Sequence, residues 1–295
     1  MASKKKWRLE SSGWMRLLSP FKAVIKSVLR KLGVLKWVRR RFYRINYAEA
    51  IHETNNRKTY AVNYQGLSPV FSLSDPYSAS FFGYYFKNSI YEEEALKIIL
   101  GEASDQGIFA DVGANIGYFS VMAALRAGKG KVFAFELGDE NCKIIRDNLK
   151  LNHLSNVTLE HCAVSDSEGL VFHQDSAVGN AVLKIIERND ANDPDIIPVR
   201  SLTLDHYFEN IKSFPDFIKI DVEGAEMKVL KGMKQILSKG AKVLIEIHPR
   251  ELTEFNSSEK EVCDWLQSYG YSWSEINNGD KKNRLLLATK QRTSA

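Results

Sequence analysis

The chain has 295 residues, of which 44% are hydrophobic and 26% charged, and this composition is that of an ordinary globular protein. Its three cysteines form no CxxC pair, which argues against a disulfide framework and against a zinc ribbon. The net charge of +5 is unevenly distributed: residues 1–44 contain fourteen basic residues and one acid, so the rest of the chain carries a net charge of −8. Contact with a polyanion is therefore expected at the N-terminal segment.

Residues 1–45 are predicted to form a basic arm that contains an amphipathic helix. Apolar residues recur at steps of three and four from Trp14 to Leu35, and many Lys and Arg residues lie off this stripe. The arm contains no run of about 20 apolar residues, so it predicts no membrane span. We expect residues 14–41 to contact an anionic membrane surface, which would place a cytoplasmic protein at the membrane periphery.

Three alternatives for this arm stay open. The apolar stripe could pack on the rest of the chain, the arm could be a mitochondrial transit peptide, or it could bind RNA nonspecifically through charge.

Residues 46–106 are predicted to form short strands and loops, followed by a helix that starts at Ile90. From residue 107 the pattern alternates, with core strands expected at 107–114, 131–138, 157–165, 216–224 and 242–249. Helices are expected at 115–127, 139–152, 225–238 and 259–270, and further strands at 271–276 and 285–289. The alternation predicts an α/β domain over residues 107–295, with a Rossmann-like, mostly parallel sheet and helices on both faces. Residues 166–200 interrupt it as an insertion with a hairpin and a polar loop.

The sequence DVGANIG, from Asp111 to Gly117, lies between the first core strand and a helix. Gly113 permits a tight turn, Gly117 lets the helix pack closely, and the helix N-terminus offers N–H groups to a carboxylate. The dinucleotide pattern would place a second glycine where Asn115 stands, so a nicotinamide cofactor is not favoured. At the end of the next strand, Glu136 can accept hydrogen bonds from two ribose hydroxyls. The alternative interpretation is a tight strand–helix turn without a ligand, with Glu136 as an acid on the surface.

Five segments resemble the FkbM family of methyltransferases over about residues 90–249: FADVGANIGYFS, VFAFE, NVTLEHCAVSDSEG, FIKIDVEGAEMKVLKG and IEIHP. The resemblance implies a class I methyltransferase fold, S-adenosylmethionine as methyl donor, and usually transfer to a hydroxyl oxygen of a sugar or other small molecule. It also implies a binding site for that cofactor. By this resemblance Gly113, Asn115 and Gly117 line the methionine end of the cofactor, Glu136 holds the ribose, and the segment from Ala163 to Asp166 lies along the adenine. Leu137 departs from the family, which commonly has proline there.

Polar residues follow the fourth and fifth core strands. Asp221 and Glu223 come after the fourth strand, and Glu246 and His248 end the fifth, where residues two apart face the same way. Three roles stay open for them. A histidine oriented by a carboxylate could act as the general base for a hydroxyl acceptor. The group could instead align the acceptor for an in-line displacement, or hold Mg²⁺ or Mn²⁺, although a metal is not favoured. A structural reading, in which His248 ends the strand and Glu223 caps a helix, also stays open.

The alternative functions are an RNA or protein methyltransferase that uses the basic arm, and a non-catalytic cofactor-binding module. Amine-modifying enzymes of this fold commonly carry Asn/Asp-Pro-Pro-aromatic after the fourth strand, where this chain has DVEG. Recognition of RNA would need interleaved basic and aromatic residues on the body, which is acidic. The polar residues at both strand ends do not favour a non-catalytic module. We therefore predict an S-adenosylmethionine-dependent O-methyltransferase for a small-molecule or glycolipid acceptor, with no specific nucleic-acid partner.

Overall fold

The computed structural model describes residues 58–86, 90–174, 185–186, 196–277 and 282–291. The predicted basic arm and most of the predicted polar loop within 166–200 lie outside the described residues. No helix in the described ranges is long and apolar enough to cross a bilayer.

Strands and helices alternate along the described chain, as the sequence pattern predicts. The strands are β1 (Thr59–Ala61), β2 (Val70–Ser72), β3 (Ile108–Val112), β4 (Lys131–Glu136), β5 (Val157–His161), β6 (Ala163–Val164), β7 (Gly169–Gln174), β8 (Ile185–Ile186), β9 (Ile196–Leu202), β10 (Phe217–Ile220), β11 (Lys242–Ile247), β12 (Tyr271–Ile276) and β13 (Arg284–Lys290). The helices are α1 (Pro76–Tyr85), α2 (Glu93–Glu102), α3 (Tyr118–Ala127), α4 (Asp139–Leu151), α5 (Leu204–Asn210), α6 (Glu226–Lys231), α7 (Lys234–Lys239), α8 (Pro249–Leu252) and α9 (Glu259–Ser268), with a 3-10 turn at Thr253–Phe255.

The central sheet has the strand order β12-β13-β11-β10-β3-β4-β5. The pairs from β11 through β10, β3 and β4 to β5 are parallel, and β12 and β13 are antiparallel to their neighbours. This arrangement confirms the predicted Rossmann-like architecture. After β3 the chain adds β4 and β5 on one side of it, and then crosses over to place β10 and β11 on the other side. The strand order therefore reverses between β3 and β10. In open α/β sheets, the carboxyl ends of the strands at such a reversal border the ligand crevice.

The two faces of the sheet are covered by different helices, because successive side chains of a strand point to opposite faces. On one face Phe109, Phe217 and Leu244 pack with residues of α1, α2 and α3. On the other face Ile218 and Val243 pack with residues of α5, α6, α7 and α9. This arrangement confirms the predicted helices on both faces, and it leaves the crevice at the carboxyl edge between them.

The short strands predicted before residue 90 are present as β1 and β2, but the region also contains helix α1, where the sequence predicts a loop. The Asp75 side chain accepts a hydrogen bond of 2.8 Å from the Ser78 backbone N–H, and Pro76 stands in the first turn. A side-chain cap followed by proline is a strong helix start. The aromatic residues that indicate strands by propensity, such as Phe81 and Phe82, are instead buried on the helix.

Three further boundaries differ from the predictions. The predicted helix 115–127 begins at Tyr118, because Asn115 and Gly117 have left-handed backbone conformations. The predicted helix 225–238 is two helices, α6 and α7, separated by Gly232 and Met233. The predicted strand 157–165 divides between two sheets: β5 belongs to the central sheet, and β6 pairs with β9 in a second sheet of order β6-β9-β7-β8. The predicted hairpin strand GLVFHQ is β7 of that sheet.

The turn after β3 lies directly against the end of β10. Gly113 has φ of 83°, and a Cβ built on it would lie 1.9 Å from the carbonyl oxygen of Asp221. Only a residue without a side chain fits at this contact, so glycine is required both by the backbone conformation and by the space.

We expect Gly113→Ala to lower the free energy of unfolding more than Gly66→Ala. Both glycines have positive φ, 83° and 80°, so alanine at either position costs about 1–2 kcal/mol of backbone strain. A Cβ at Gly66 would meet no atom within 4 Å, whereas a Cβ at Gly113 would overlap the backbone of β10, which adds about 1–3 kcal/mol. Urea unfolding of the wild type and both variants measures the difference. Equal losses would show that the contact between the β3 turn and β10 relaxes without cost.

Candidate active site

The glycine turn, residues 111–117, leads from β3 into helix α3. The backbone N–H groups of Gly113 and Ala114 both donate to the Phe135 carbonyl oxygen of β4, at 3.0 Å each. Gly117 is the N-cap residue of α3 and has no side chain to cap the helix. In the first turn of α3 the buried Asp111 carboxylate accepts hydrogen bonds from the hydroxyl and the backbone N–H of Ser120. The positive end of the helix dipole at this turn suits a carboxylate ligand.

Glu136 lies next to this turn, at the end of β4, and its side chain is 4% exposed. One carboxylate oxygen accepts a hydrogen bond from the Asn115 backbone N–H at 2.8 Å, and the other accepts from the Gly138 N–H at 2.8 Å. Burial raises the pKa of Glu136 to about 7, although these N–H donors oppose the shift. The oxygen that faces Gly138 also accepts a longer hydrogen bond from the Asn141 side-chain amide, at 3.4 Å. Since a carboxylate oxygen has two lone pairs, the oxygen that accepts from Asn115 keeps one for a ligand hydroxyl.

Helix α1 also contacts the glycine turn, through Tyr77. The Asn115 side-chain amide donates to the hydroxyl oxygen of Tyr77 at 3.0 Å. Burial raises the pKa of this hydroxyl above its usual value, with a smaller opposing effect from Asn115. Residues before the first core strand therefore form part of the site.

The predicted adenine segment, from Ala163 to Asp166, begins in β6. Ala163 is buried in an apolar group with Leu137, Val222 and Ala225, between the ends of β4 and β10. Asp166, at the other end of the segment, is exposed and accepts a hydrogen bond from the Ser165 hydroxyl at 3.1 Å. The segment thus offers an apolar wall at one end and a polar group at the other.

The structure brings together the four residues predicted to lie at the ends of the fourth and fifth core strands. We call Asp221, Glu223, Glu246 and His248 the strand-end cluster. The His248 Nε2 atom lies 3.8 Å from Asp221 Oδ1, 3.5 Å from Glu223 Oε2 and 3.9 Å from Glu246 Oε1. Three carboxyl groups therefore surround one edge of a buried imidazole.

Two buried residues that were not predicted from the sequence support this cluster. Lys219 is 2% exposed, and its Nζ atom lies 3.0 Å from Asp221 Oδ2. Glu226 is fully buried, and its Oε1 atom lies 2.7 Å from His248 Nδ1. Lys219 could have been identified from the sequence, because a lysine within the apolar strand FIKI is unusual and its side chain shares a face with Asp221, two residues later.

A third such residue, Glu92, comes from the N-cap position of α2. Its backbone has φ of 42° and ψ of 53°, a conformation that costs a residue with a side chain about 1–2 kcal/mol. Its Oε2 atom is buried and has no hydrogen-bond partner among the described residues. The charges of Lys219, Asp221 and His248 all act on its carboxyl group. The Tyr91 side chain hydrogen-bonds the carboxyl group of Glu92, so Oε2 alone is left without a partner in the described ranges. A buried carboxyl oxygen without a partner, on strained backbone, is typical of a functional position.

The two cationic side chains have raised pKa values because carboxylates surround them. Burial alone would lower the pKa of Lys219, but the charge of Asp221, followed by those of Asp111 and Glu92, raises it above its usual value. Burial would also lower the pKa of His248, but the hydrogen bond to Glu226 and the nearby carboxylates raise it to about 9.

The carboxyl groups of the cluster differ in how readily they ionise. Burial raises the pKa of Glu223 to about 7 and, together with the charge of Asp221, that of Glu246 to about 8. Burial also opposes ionisation of Asp221, but the charges of Lys219 and His248 hold its pKa below its usual value. Asp221 is therefore the carboxylate that stays ionised at neutral pH.

The chain matches the model of the methyltransferase FkbM domain over residues 111–273. It is similar to the hexuronic acid methyltransferase AglP of Haloferax volcanii, with 27% identity over 174 residues, covering 57% of this chain and 69% of that protein. It is also similar to the methyltransferase sdnD of Sordaria araneosa, with 29% identity over 154 residues, covering 42% of this chain and 60% of that protein. M. jannaschii TYW2 in complex with AdoMet has a similar structure, with a TM-score of 0.43 and 14% identity, covering 79% of this chain and 85% of that one.

The family match includes both halves of the site, the glycine turn with Glu136 and the strand-end cluster, and it leaves Tyr77 and Glu92 outside its range. Because the match covers more than half of the 295 residues, the chain belongs to the FkbM family of S-adenosylmethionine-dependent methyltransferases.

Proposed function

We propose that this enzyme transfers the methyl group of S-adenosylmethionine to a hydroxyl oxygen of a sugar, either free or linked to a lipid. One observation carries the proposal. The glycine turn and Glu136 lie on one side of the contact between β3 and β10, and the strand-end cluster lies on the other. A donor held at the turn would present its methyl group to an acceptor held at the cluster. The similarity to a hexuronic acid methyltransferase supports a sugar as the acceptor.

The cofactor roles follow from the contacts of the turn. The N–H groups at the start of α3 suit the methionine carboxylate, with Gly113, Asn115 and Gly117 shaping the backbone around it. Asp111, whose side chain accepts a short hydrogen bond from the Ser120 hydroxyl at 2.5 Å, fixes the turn to α3. The free lone pair on Oε2 of Glu136 suits one ribose hydroxyl, and the second hydroxyl would replace the 3.4 Å contact of Asn141 with Oε1.

The chemical step needs an aligned and deprotonated acceptor. The hydroxyl oxygen attacks the methyl carbon as the S–C bond breaks, so the sulfonium becomes a neutral thioether and the hydroxyl proton passes to solvent water. At a pKa of about 9, His248 is protonated at neutral pH before ligands bind, which does not favour the predicted role of general base. The cluster fits better as the group that holds and polarises the acceptor hydroxyl.

We expect the product S-adenosylhomocysteine to bind more tightly at pH 8 than at pH 6. The pKa of Glu136 is raised to about 7, so its carboxylate, the form that accepts from two hydroxyls, becomes populated as the pH rises through 7. Glu136→Gln should weaken binding by about 1–3 kcal/mol and flatten the pH dependence. Isothermal titration calorimetry at both pH values measures this, with exposed Glu140→Gln as the matched control. A Glu136→Gln variant that binds like wild type would remove the residue from the cofactor site, and tight binding of NAD would contradict the assignment of the cofactor.

We expect Glu92→Gln to raise the KM for a sugar acceptor about tenfold, because its buried carboxyl oxygen is placed to accept from an acceptor hydroxyl. Methyl-labelled S-adenosylmethionine is supplied with a glucuronic acid glycoside and with the matching glucose glycoside, and mass spectrometry locates the labelled methyl ether. The neighbouring exposed Glu94→Gln should leave KM unchanged, and affinity for S-adenosylhomocysteine should stay the same in both variants. Transfer of label to RNA or to protein amines, with none to either sugar, would contradict the proposed function.

The basic arm extends the proposal to lipid-linked acceptors at a membrane surface. Residues 14–41 combine an apolar stripe with flanking Lys and Arg, and each basic residue near an anionic leaflet adds about 1 kcal/mol. We expect the full chain to float with anionic liposomes and not with neutral ones, and a chain without residues 1–45 to float with neither. Flotation should weaken as salt is added. Failure of the full chain to float with anionic liposomes at low salt would refute membrane contact.

A further inference from the structure

We propose that Asp221, Glu223 and His248 bind one divalent cation, Mn²⁺ or Mg²⁺, at the carboxyl ends of β10 and β11. The role of this cation in catalysis rests on the proposed function, since the ion would bind the acceptor hydroxyl. The binding site itself is defined by three ligand atoms of Asp221, Glu223 and His248, whatever the reaction.

The three atoms are spaced as ligands of one ion. Asp221 Oδ1, Glu223 Oε2 and His248 Nε2 all lie within 4.8 Å of one another. The imidazole nitrogen is 3.8 Å and 3.5 Å from the two oxygens, which is too long for a hydrogen bond. Ligands at about 2.1 Å from an octahedral ion are about 3.0–4.2 Å apart. A small closure of the side chains would therefore bring all three atoms into coordination.

The other polar atoms of Asp221 and His248 are already occupied. Asp221 Oδ2 pairs with Lys219 at 3.0 Å, which leaves Oδ1 facing the cluster. His248 is 2% exposed, and its Nδ1 lies 2.7 Å from the fully buried Glu226. The carboxylate of Glu226 holds a proton on Nδ1, so Nε2 is the nitrogen that would give up its proton when a cation binds. Such second contacts are usual for histidines that bind metals. Among the described residues Nε2 has no hydrogen-bond partner.

The local charge also favours a cation. Around the ring of His248, Glu226 and Glu246 add two more carboxyl groups, at 2.7 Å and 3.9 Å. The ammonium group of Lys219 pairs with Asp221 on the side away from the imidazole. A divalent ion at the meeting point of the three ligands would offset the repulsion among these carboxyl groups. Carboxylate oxygens with one imidazole are a donor set suited to Mn²⁺ or Mg²⁺.

In the reaction, such an ion would act as a Lewis acid on the acceptor oxygen. Coordination would lower the pKa of the hydroxyl and fix the oxygen opposite the methyl group. His248 would then be a ligand, and Glu226 a positioning residue that orients it.

The test is direct binding of MnCl₂ to the full chain after treatment with EDTA, without an acceptor. Calorimetry and the electron paramagnetic resonance signal of free Mn²⁺ should show one ion per chain, and Mg²⁺ should compete for it. Asp221→Asn and His248→Ala should abolish saturation, and Glu226→Gln should weaken binding about 10–100-fold. The matched control is Asp147→Asn, an exposed acid on α4, which should bind one ion as the wild type does.

Binding of S-adenosylhomocysteine through Glu136 serves as the check that each variant is folded. If Asp221→Asn or His248→Ala loses the binding of S-adenosylhomocysteine, the Mn²⁺ affinities of Glu223→Gln and Glu226→Gln decide the outcome instead. Both affinities should be lower than that of the wild type. The inference is overturned if the wild type does not saturate, or if folded variants bind Mn²⁺ as the wild type does. A chain that binds S-adenosylhomocysteine but no Mn²⁺ overturns the metal site alone, whereas one that binds Mn²⁺ but no S-adenosylhomocysteine contradicts the proposed function.

Discussion

The close approach of the β3 turn to the end of β10 is the contact on which the rest of the site depends. Gly113 lies so near the Asp221 carbonyl oxygen that no side chain fits between them. The same contact therefore sets the distance between the turn that suits a nucleoside ligand and the polar cluster on the neighbouring strands. Because both are attached to central, parallel strands of a buried sheet, their relative position is as rigid as the core itself.

The polar residues of the site are concentrated on one face of the sheet. Lys219, Asp221 and Glu246 alternate with apolar residues that pack on the opposite face, so a single register of β10 and β11 serves both the core and the site. Burying these charges is unfavourable unless they are paired, and the ion pair of Lys219 with Asp221 and the contact of Glu226 with His248 provide that pairing. The site is thus stabilised mainly by its internal partners.

The sequence predicts the parts of the site that depend on position along one strand or turn. Glu136 follows a strand in register with the glycine turn, and Glu246 and His248 share a face because they are two residues apart, so periodicity is sufficient. Glu226 contacts His248 across 22 positions and lies on a helix, and Glu92 comes from a helix before the core. Such contacts depend on how helices pack on the sheet, which no local pattern encodes. Helix α1 is missed for a related reason, since tertiary burial of its aromatic residues outweighs their strand propensity.

Tyr77 and Glu92 reach the crevice from helices that precede the range shared with the family. The chain before residue 111 therefore contributes to both halves of the crevice: Tyr77 contacts Asn115 in the glycine turn, and Glu92 lies among the charges of the strand-end cluster. A substitution at Glu92 changes the side of the crevice next to the cluster, whereas a substitution at Tyr77 also releases the side-chain amide of Asn115. Under the proposed function, Glu92 is thus the position where relatives that methylate other acceptors can differ without a change at the turn that suits the donor.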